Sequence, residues 1–182
     1  MDVVVVYESI HGRTQQVAES IASGLSRFAT VRVLSVNDAD PDTVGEPDLL
    51  VVGAPDHWSG LSLPEAHADD IREAQNASDP AATVLPPGAI SMREWFTELP
   101  PTPTLFAVFE TRTRRHLSVF EADTQIQHVL DINGFTPVMP PEIFFLSTDG
   151  EFEPGELNRA KTWGTALATT TYHQHSGGRL AT

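Results

Sequence analysis

Apolar and polar positions along this chain follow two alternating periods. The apolar, β-branched run 3–7 predicts a strand buried on both faces, and positions 17–25 then repeat at the spacing of one helical face. The same alternation continues through the rest of the chain. Further strands are predicted at residues 30–36, 48–53, 104–109 and 136–146, the last interrupted by two prolines, and further helices at residues 64–75, 88–99, 119–133 and 156–170.

Strands that alternate with helices favour a parallel sheet with helices on both faces. The length of 182 residues suggests a single domain, which we place at residues 1–171, followed by a flexible C-terminal tail at residues 172–182. In such a sheet the carboxyl ends of the strands share one edge, and ligands bind beside that edge. The loops after the first, third and fourth strands therefore carry the candidate chemistry.

The turn after the first strand is polar, short and contains one glycine, Gly12. Its amide groups and the positive end of the following helix dipole point at one place, where the hydroxyls of Ser9 and Thr14 add hydrogen-bond donors. This layout predicts a site for an anionic ligand. An ordinary strand–helix turn in which Ser9 or Thr14 caps the helix is the alternative.

This turn closely resembles the phosphate loop of the flavodoxin family. The matching residues are Ser9, Ile10, His11, Gly12, Arg13 and Thr14, with Arg13 at a position where many members have Asn. The resemblance implies that the turn wraps the phosphate of FMN. It also implies a flavodoxin-like three-layer α/β sandwich, with a five-stranded parallel sheet in the order 2-1-3-4-5 and helices on both faces.

The loop after the third strand, residues 53–60, is similar to a flavin-binding loop of small bacterial members of this family. The resemblance implies that Pro55, Asp56, His57, Trp58, Ser59 and Gly60 bind the cofactor. Trp58 offers a flat apolar face for the isoalloxazine ring, although it could equally pack beneath the loop. His57 could hydrogen-bond the flavin or relay a proton, or it could simply pack in the loop.

The segment after the fourth strand, residues 109–116, resembles a third flavin-binding loop of the family. The resemblance implies that Glu110, Thr111 and Arg112 reach the pyrimidine edge of the flavin. Arg112 also belongs to the densest basic cluster of the chain, together with Arg114 and Arg115. This cluster is either a solvated run of charge or a contact for a substrate or for the phosphate of a nicotinamide cofactor.

Composition narrows the possible chemistry. The chain has no cysteine, which excludes disulfides and thiolate catalysis, so redox chemistry must come from a bound cofactor. Its histidines lack metal-ligand spacing, so no metal site is predicted. A net charge of −14 disfavours nucleic acid and anionic lipid, and favours a basic partner. The absence of a long apolar run and of a signal peptide predicts a cytoplasmic protein without membrane insertion.

These observations and the resemblance together favour an FMN-binding protein that transfers electrons to a redox partner protein, a reductase or an acceptor, with a basic surface. The flavin would carry out the chemistry, so no catalytic side chain is predicted. An NAD(P)H-dependent quinone or flavin reductase of the same fold is the first alternative. The second is a binding module of the same fold that has lost FMN.

Overall fold

The computed structural model of the protein describes residues 1–55, 90–99, 104–113 and 134–178. The helices predicted at residues 64–75 and 119–133 lie outside the described residues, as do the loop residues Asp56, His57, Trp58, Ser59 and Gly60.

The described strands form one parallel sheet. Its strands are β1 (Asp2–Tyr7), β2 (Thr30–Ser35), β3 (Leu49–Pro55), β4 (Leu105–Thr113), β5 (Thr136–Pro137) and β6 (Glu142–Leu146). The order is β2-β1-β3-β4, and β4 then pairs with β5 at its start, where Leu105 lies opposite Thr136, and with β6 at its end. The two short strands occupy the fifth position as one interrupted strand, so the predicted order 2-1-3-4-5 is confirmed.

Two apolar layers cover the two faces of this sheet, because successive side chains of a strand point to opposite sides. Val3 and Val5 pack on one face with α1 (Arg13–Leu25) and α4 (Glu156–Gly178), and Val4 and Val6 pack on the other with α3 (Met92–Glu98). All four valines are fully buried, which explains why the first strand is apolar throughout. We call these two sides the α1/α4 face and the α3 face.

The segment between β2 and β3 contains a 3-10 helix (Val36–Asp38) and a single helical turn, α2 (Pro41–Val44). Asp40 starts this turn, since its carboxylate accepts hydrogen bonds from the Thr43 amide at 2.8 Å and the Thr43 hydroxyl at 2.6 Å. These bonds to the charged form lower the pKa of the exposed Asp40 carboxyl.

Helices α1 and α4 cross at two glycines. A Cβ atom on Gly24 would lie 2.0 Å from the carbonyl oxygen of Lys161, and one on Gly164 would lie 2.2 Å from that of Ile21. Neither helix can therefore carry a side chain at the crossing without moving the other helix. The close approach fixes where α1 begins relative to the sheet, and so where its N-terminus meets the strand ends.

α4 continues as a helix to Gly178, so residues 172–178 of the expected tail are helical. Thr171 is fully buried, and the His175 ring nitrogen lies 3.4 Å from the backbone oxygen of Asp48. Tyr172 and His175 are exposed, so this part of the helix lacks the apolar stripe by which a helix is recognised in a sequence. Residues 179–182 lie outside the described residues.

Two tryptophans lie in the apolar core: Trp95 is fully buried and Trp163 is 6% exposed. The Trp95 indole N–H donates to the carbonyl oxygen of Ala39. None of the described helices has the length and apolar character that crossing a membrane requires.

Candidate functional site

The backbone fixes both ends of the turn between β1 and α1. The Glu8 amide donates to the Gly53 carbonyl at 2.9 Å, which continues the pairing of β1 with β3 for one more residue. Ile10 is buried and His11 is exposed. Gly12 then takes a left-handed backbone, with φ 72°, and forms the N-cap of α1. The glycine is required here because other residues adopt a positive φ at a cost.

The N-terminus of α1 carries unused hydrogen-bonding capacity. Its N-cap residue, Gly12, has no side chain that could cap it, and the first backbone hydrogen bond of the helix runs from the Gln16 amide to the Gly12 carbonyl at 3.2 Å. The Ser9 hydroxyl is buried beside this turn and has no hydrogen-bond partner in the part of the chain that the structure describes. A buried hydroxyl without a partner is costly, so the turn has the character of a site built for an anion.

Thr14 lies in the first turn of α1 and joins it to the end of β4. Its Oγ1 atom lies 2.9 Å from that of Thr111, and both residues are 2% exposed. These two residues are 97 positions apart in the chain. The hydroxyl pair therefore connects the predicted phosphate turn with the predicted third site segment, inside the α1/α4 face of the sheet.

Arg13 is the first residue of α1, and its guanidinium group pairs with Glu151 at 2.6 Å. The Arg13 side chain is 23% exposed and that of Glu151 is 65% exposed, so the pair lies at the surface. The loop after β6 was not predicted to belong to the site, and Glu151 carries no sequence pattern that points to it.

The backbone around Glu151 is fixed by local hydrogen bonds. The Ser147 amide donates to the Glu151 carbonyl at 2.8 Å, and the Ser147 hydroxyl also bonds the Asp149 carboxylate, which lowers the pKa of Asp149. At the start of α4, Arg159 bonds Glu156 and Glu142, which raises its pKa and keeps it charged. The loop thus presents the Glu151 carboxylate to Arg13 from a defined position.

The end of β3 lies between the other two site segments. Gly53 is opposite both Tyr7 and Phe109, and a Cβ atom on Gly53 would lie 1.9 Å from the Phe109 ring. The ring of Phe109 therefore takes the space that a side chain at residue 53 would fill. Pro55 is the last residue of β3 and lies opposite Thr111. The loop that follows, residues 56–60, lies outside the described residues.

The prediction of a loop at Glu110, Thr111 and Arg112 is wrong, because β4 continues to Thr113. All three residues are buried, at 3%, 2% and 5% exposure. The Arg112 guanidinium donates to the Glu110 carboxylate at 2.8 Å, and residues two apart on a strand share a face, so the charges neutralise each other. Arg112 is therefore not part of a solvated run of charge, while Arg114 and Arg115 lie outside the described residues.

A second buried carboxylate, which sequence reasoning missed, lies on the same α3 face. Glu8 is 4% exposed, and its Oε2 atom accepts a hydrogen bond from the Met92 amide, at the start of α3, at 2.7 Å. Ser91 and Glu94 complete this helix start as a capping box. A charged residue directly after a fully apolar strand was the available sequence signal for Glu8.

The structure thus brings Ser9, Gly12, Arg13 and Thr14 together with Thr111 at the carboxyl edge of the sheet. Glu110 and Arg112 lie on the opposite face of the same strand end. No group of three or more metal-ligating side chains occurs within the described ranges. On the α1/α4 face, backbone amides, the Ser9 and Thr14 hydroxyls and the Arg13 guanidinium can donate hydrogen bonds, and this donor set suits a phosphate group.

Comparison with known proteins identifies the family of this fold. A sequence model of the flavodoxin family matches residues 5–98. The chain is similar to the structure of a flavodoxin from the domain Archaea, at 21% identity and a TM-score of 0.60, covering 95% of this chain and 100% of the other. It is similar to a Streptococcus pneumoniae flavodoxin at 16% identity and a TM-score of 0.64, covering 93% and 99%.

A third similar structure is a flavodoxin, WrbA-like protein from Agrobacterium tumefaciens. It has 17% identity and a TM-score of 0.58, and the match covers 94% of this chain and 98% of that one. At these identities the structural likeness supports the fold alone. No curated protein sequence matches the chain.

Proposed function

Because the chain belongs to the flavodoxin family, we propose that it binds FMN at the carboxyl edge of its sheet and transfers electrons to or from a partner protein. The phosphate of FMN would lie at the N-terminus of α1. It would accept hydrogen bonds from the amides of the 9–14 turn and from the Ser9 hydroxyl. When bound, FMN supplies the redox chemistry, while the protein holds and orients it.

The observation that carries this proposal is the buried Ser9 hydroxyl, which has no partner within the described ranges, beside a helix N-terminus whose N-cap residue, Gly12, has no side chain. Both features are unfavourable in the ligand-free protein, and both would be relieved by one group that accepts several hydrogen bonds. A phosphate is such a group, since it offers charged oxygens on every side. The residues present therefore fit the phosphate of FMN.

The ring of FMN would lie beyond the ends of β3 and β4, next to Pro55 and the loop at residues 56–60. We propose that Trp58 stacks on the isoalloxazine and that Asp56, His57, Ser59 and Gly60 line its edge. Glu110 and Arg112 are buried as an ion pair at the end of β4. They would therefore lie under the flavin, within the sheet, rather than contact it from a loop. The net charge of −14 suits a redox partner with a basic surface.

Binding of FMN to the ligand-free protein is the direct test, because free FMN is fluorescent and its emission falls when it is bound. We expect the protein to bind FMN more tightly than riboflavin, which lacks the phosphate. A protein that remains colourless when FMN is added would contradict the proposal and would favour a binding module that has lost the cofactor.

Substitution of Gly12 tests the position of the phosphate. Gly12→Asp places a carboxylate in the turn, and we expect the FMN dissociation constant to rise by about 100-fold or more, because like charges repel across a short distance. Gly12→Asn is the matched control, since Asn has nearly the same shape, is neutral and tolerates positive φ. Equal FMN affinity in the two variants would show that the phosphate lies elsewhere.

A reductase of the same fold is the alternative function. The burial of Arg112 in an ion pair removes one of the three arginines proposed to meet a nicotinamide phosphate. Mixing NADPH with the FMN-loaded protein separates the two functions. A carrier should be reduced only slowly without a partner protein, whereas rapid reduction by NADPH alone would favour the reductase.

A further inference from the structure

Thr111 is too deeply buried to serve as a surface contact, yet it reaches the phosphate turn through Thr14. We infer that Thr111 is a positioning residue: its hydroxyl donates to Thr14, so that the Thr14 hydroxyl hydrogen is directed at the phosphate. This inference rests on the proposed function. In this inference Thr111 affects binding at the phosphate end of the cofactor, whereas the family resemblance implies a contact with the pyrimidine edge of the flavin.

The position of Thr111 is fixed by the sheet. β4 pairs with β3 on one side and β6 on the other, so Thr111 lies between Pro55 and Phe144. Its β-branched side chain has few rotamers available. The hydroxyl of Thr111 is therefore held at one place on the α1/α4 face, 2.9 Å from the Thr14 hydroxyl.

Thr14 has no fixed partner within its own helix. It is the second residue of α1, so the carbonyls three and four residues earlier, those of His11 and Ile10, lie before the helix and outside its geometry. The hydroxyl faces Thr111, at the other side of the turn. Without this partner, the Thr14 hydroxyl would rotate freely, and its hydrogen would not be directed at the proposed anion site.

Either hydroxyl can donate by geometry, and the proposed phosphate decides the direction of the hydrogen bond. If Thr14 donated to Thr111, the hydrogen of Thr111 would need another acceptor, and no other bond of this buried hydroxyl is found within the described ranges. If Thr111 donates to Thr14, the remaining hydrogen belongs to Thr14, which lies in the first turn of α1 beside Ser9. A bound phosphate accepts that hydrogen, so both hydroxyls are then satisfied.

The experiment compares five full-length proteins in ligand-free form: the wild type, Thr111→Val, Thr111→Ser, Thr14→Val and the double variant Thr14→Val/Thr111→Val. Valine keeps the branched shape of threonine but removes the hydroxyl, and serine keeps the hydroxyl. Titration with FMN and, separately, with riboflavin gives two dissociation constants for each protein. Urea unfolding of each ligand-free protein reports whether the variant is folded.

We expect Thr111→Val to raise the FMN dissociation constant by about tenfold, which is the size of one hydrogen bond to a charged group. The riboflavin dissociation constant should not change, because riboflavin has no phosphate. Thr111→Ser should bind FMN as the wild type does. Thr14→Val should weaken FMN at least as much, and adding Thr111→Val to it should cause no further loss, because the two hydroxyls act as one unit.

An equal loss of FMN and riboflavin affinity in Thr111→Val would overturn the inference, because it would indicate a general structural effect or a contact with the ring. Unchanged FMN affinity would also overturn it. Should Thr111→Val fail to fold, Thr111→Ala removes the same hydroxyl and is read in the same way. If the wild type binds no FMN, the proposed function fails and this inference fails with it, whereas FMN binding without a Thr111 effect overturns the inference alone.

Discussion

Two arginine–glutamate ion pairs flank the carboxyl edge of the sheet, one on each face. Arg13 and Glu151 meet at 2.6 Å on the α1/α4 face, with side chains 23% and 65% exposed. Arg112 and Glu110 meet at 2.8 Å on the α3 face, with side chains 6% and 4% exposed. The distances are nearly equal, but the surroundings of the two pairs are opposite.

Distance alone therefore does not determine what an ion pair contributes. Water around the exposed pair screens its attraction, so it adds little stability and its charges remain available to a ligand. The buried pair has lost its water, and each charge is stabilised by the other. The α3 face therefore commits these charges to structure, while the α1/α4 face leaves hydroxyls, amides and one accessible cation at the proposed anion site.

Removing one charge from the buried pair should cost more stability than any of the changes below. We expect Arg112→Met to lower the free energy of unfolding by about 3–5 kcal/mol, because the Glu110 carboxylate stays buried without its cation. Arg13→Met is the matched control on the exposed pair and should cost less than about 1 kcal/mol. Urea unfolding of both variants measures the difference.

A second change tests the cause of that loss. Adding Glu110→Gln to Arg112→Met neutralises the carboxylate and should recover part of the stability. If Arg112→Met and Arg13→Met prove equally mild, the contrast between the two faces would be wrong.

A smaller loss of stability is expected at the crossing of α1 and α4, which positions the start of α1 beside the proposed anion site. Alanine normally stabilises a helix relative to glycine by about 1 kcal/mol. At Gly164 the added Cβ would meet the backbone of Ile21, so we expect Gly164→Ala instead to lower the free energy of unfolding by about 2–3 kcal/mol.

The control for this prediction is Gly150→Ala, in the loop after β6. No atom of the residues that the structure describes lies within 4 Å of the Cβ position there, and the positive φ of 82° opposes the change. We expect a loss of about 1 kcal/mol from backbone strain. A stabilised Gly164→Ala protein in thermal unfolding would show that the two helices are not in close contact.

Removing one charge from the exposed pair should have the mildest consequence, and it should change FMN affinity rather than stability. Glu151→Gln removes a negative charge beside the anion site, so we expect FMN to bind about two- to fivefold more tightly at low salt. Added salt should remove this gain, because it screens exposed charges. Glu46→Gln, which makes the same charge change just before β3 begins, should leave FMN affinity unchanged. A Glu151→Gln protein that binds FMN more weakly would indicate that Glu151 supports Arg13 instead of competing for it.

The local pattern of the sequence was sufficient for most of the fold. The valines of β1 are buried on both faces, and such a strand has no polar alternation to disguise it. The strand order followed from the resemblance of the 9–14 turn to the flavodoxin family and is confirmed. The proposed anion site at Ser9 and Gly12 followed from the local sequence, because strand, turn and helix are contiguous there.

Neighbouring residues were enough to predict the order of strands and helices along the chain and the turn at Gly12, because both are local features. The surroundings of the polar residues near the end of β4 depend instead on how distant segments of the chain pack. Glu110 and Arg112 resemble a solvated loop in a sequence, since charges are normally exposed, and they are buried because each neutralises the other. Thr111 meets Thr14 across 97 positions of chain, a contact that no local pattern specifies and that the packing of α1 on the sheet creates.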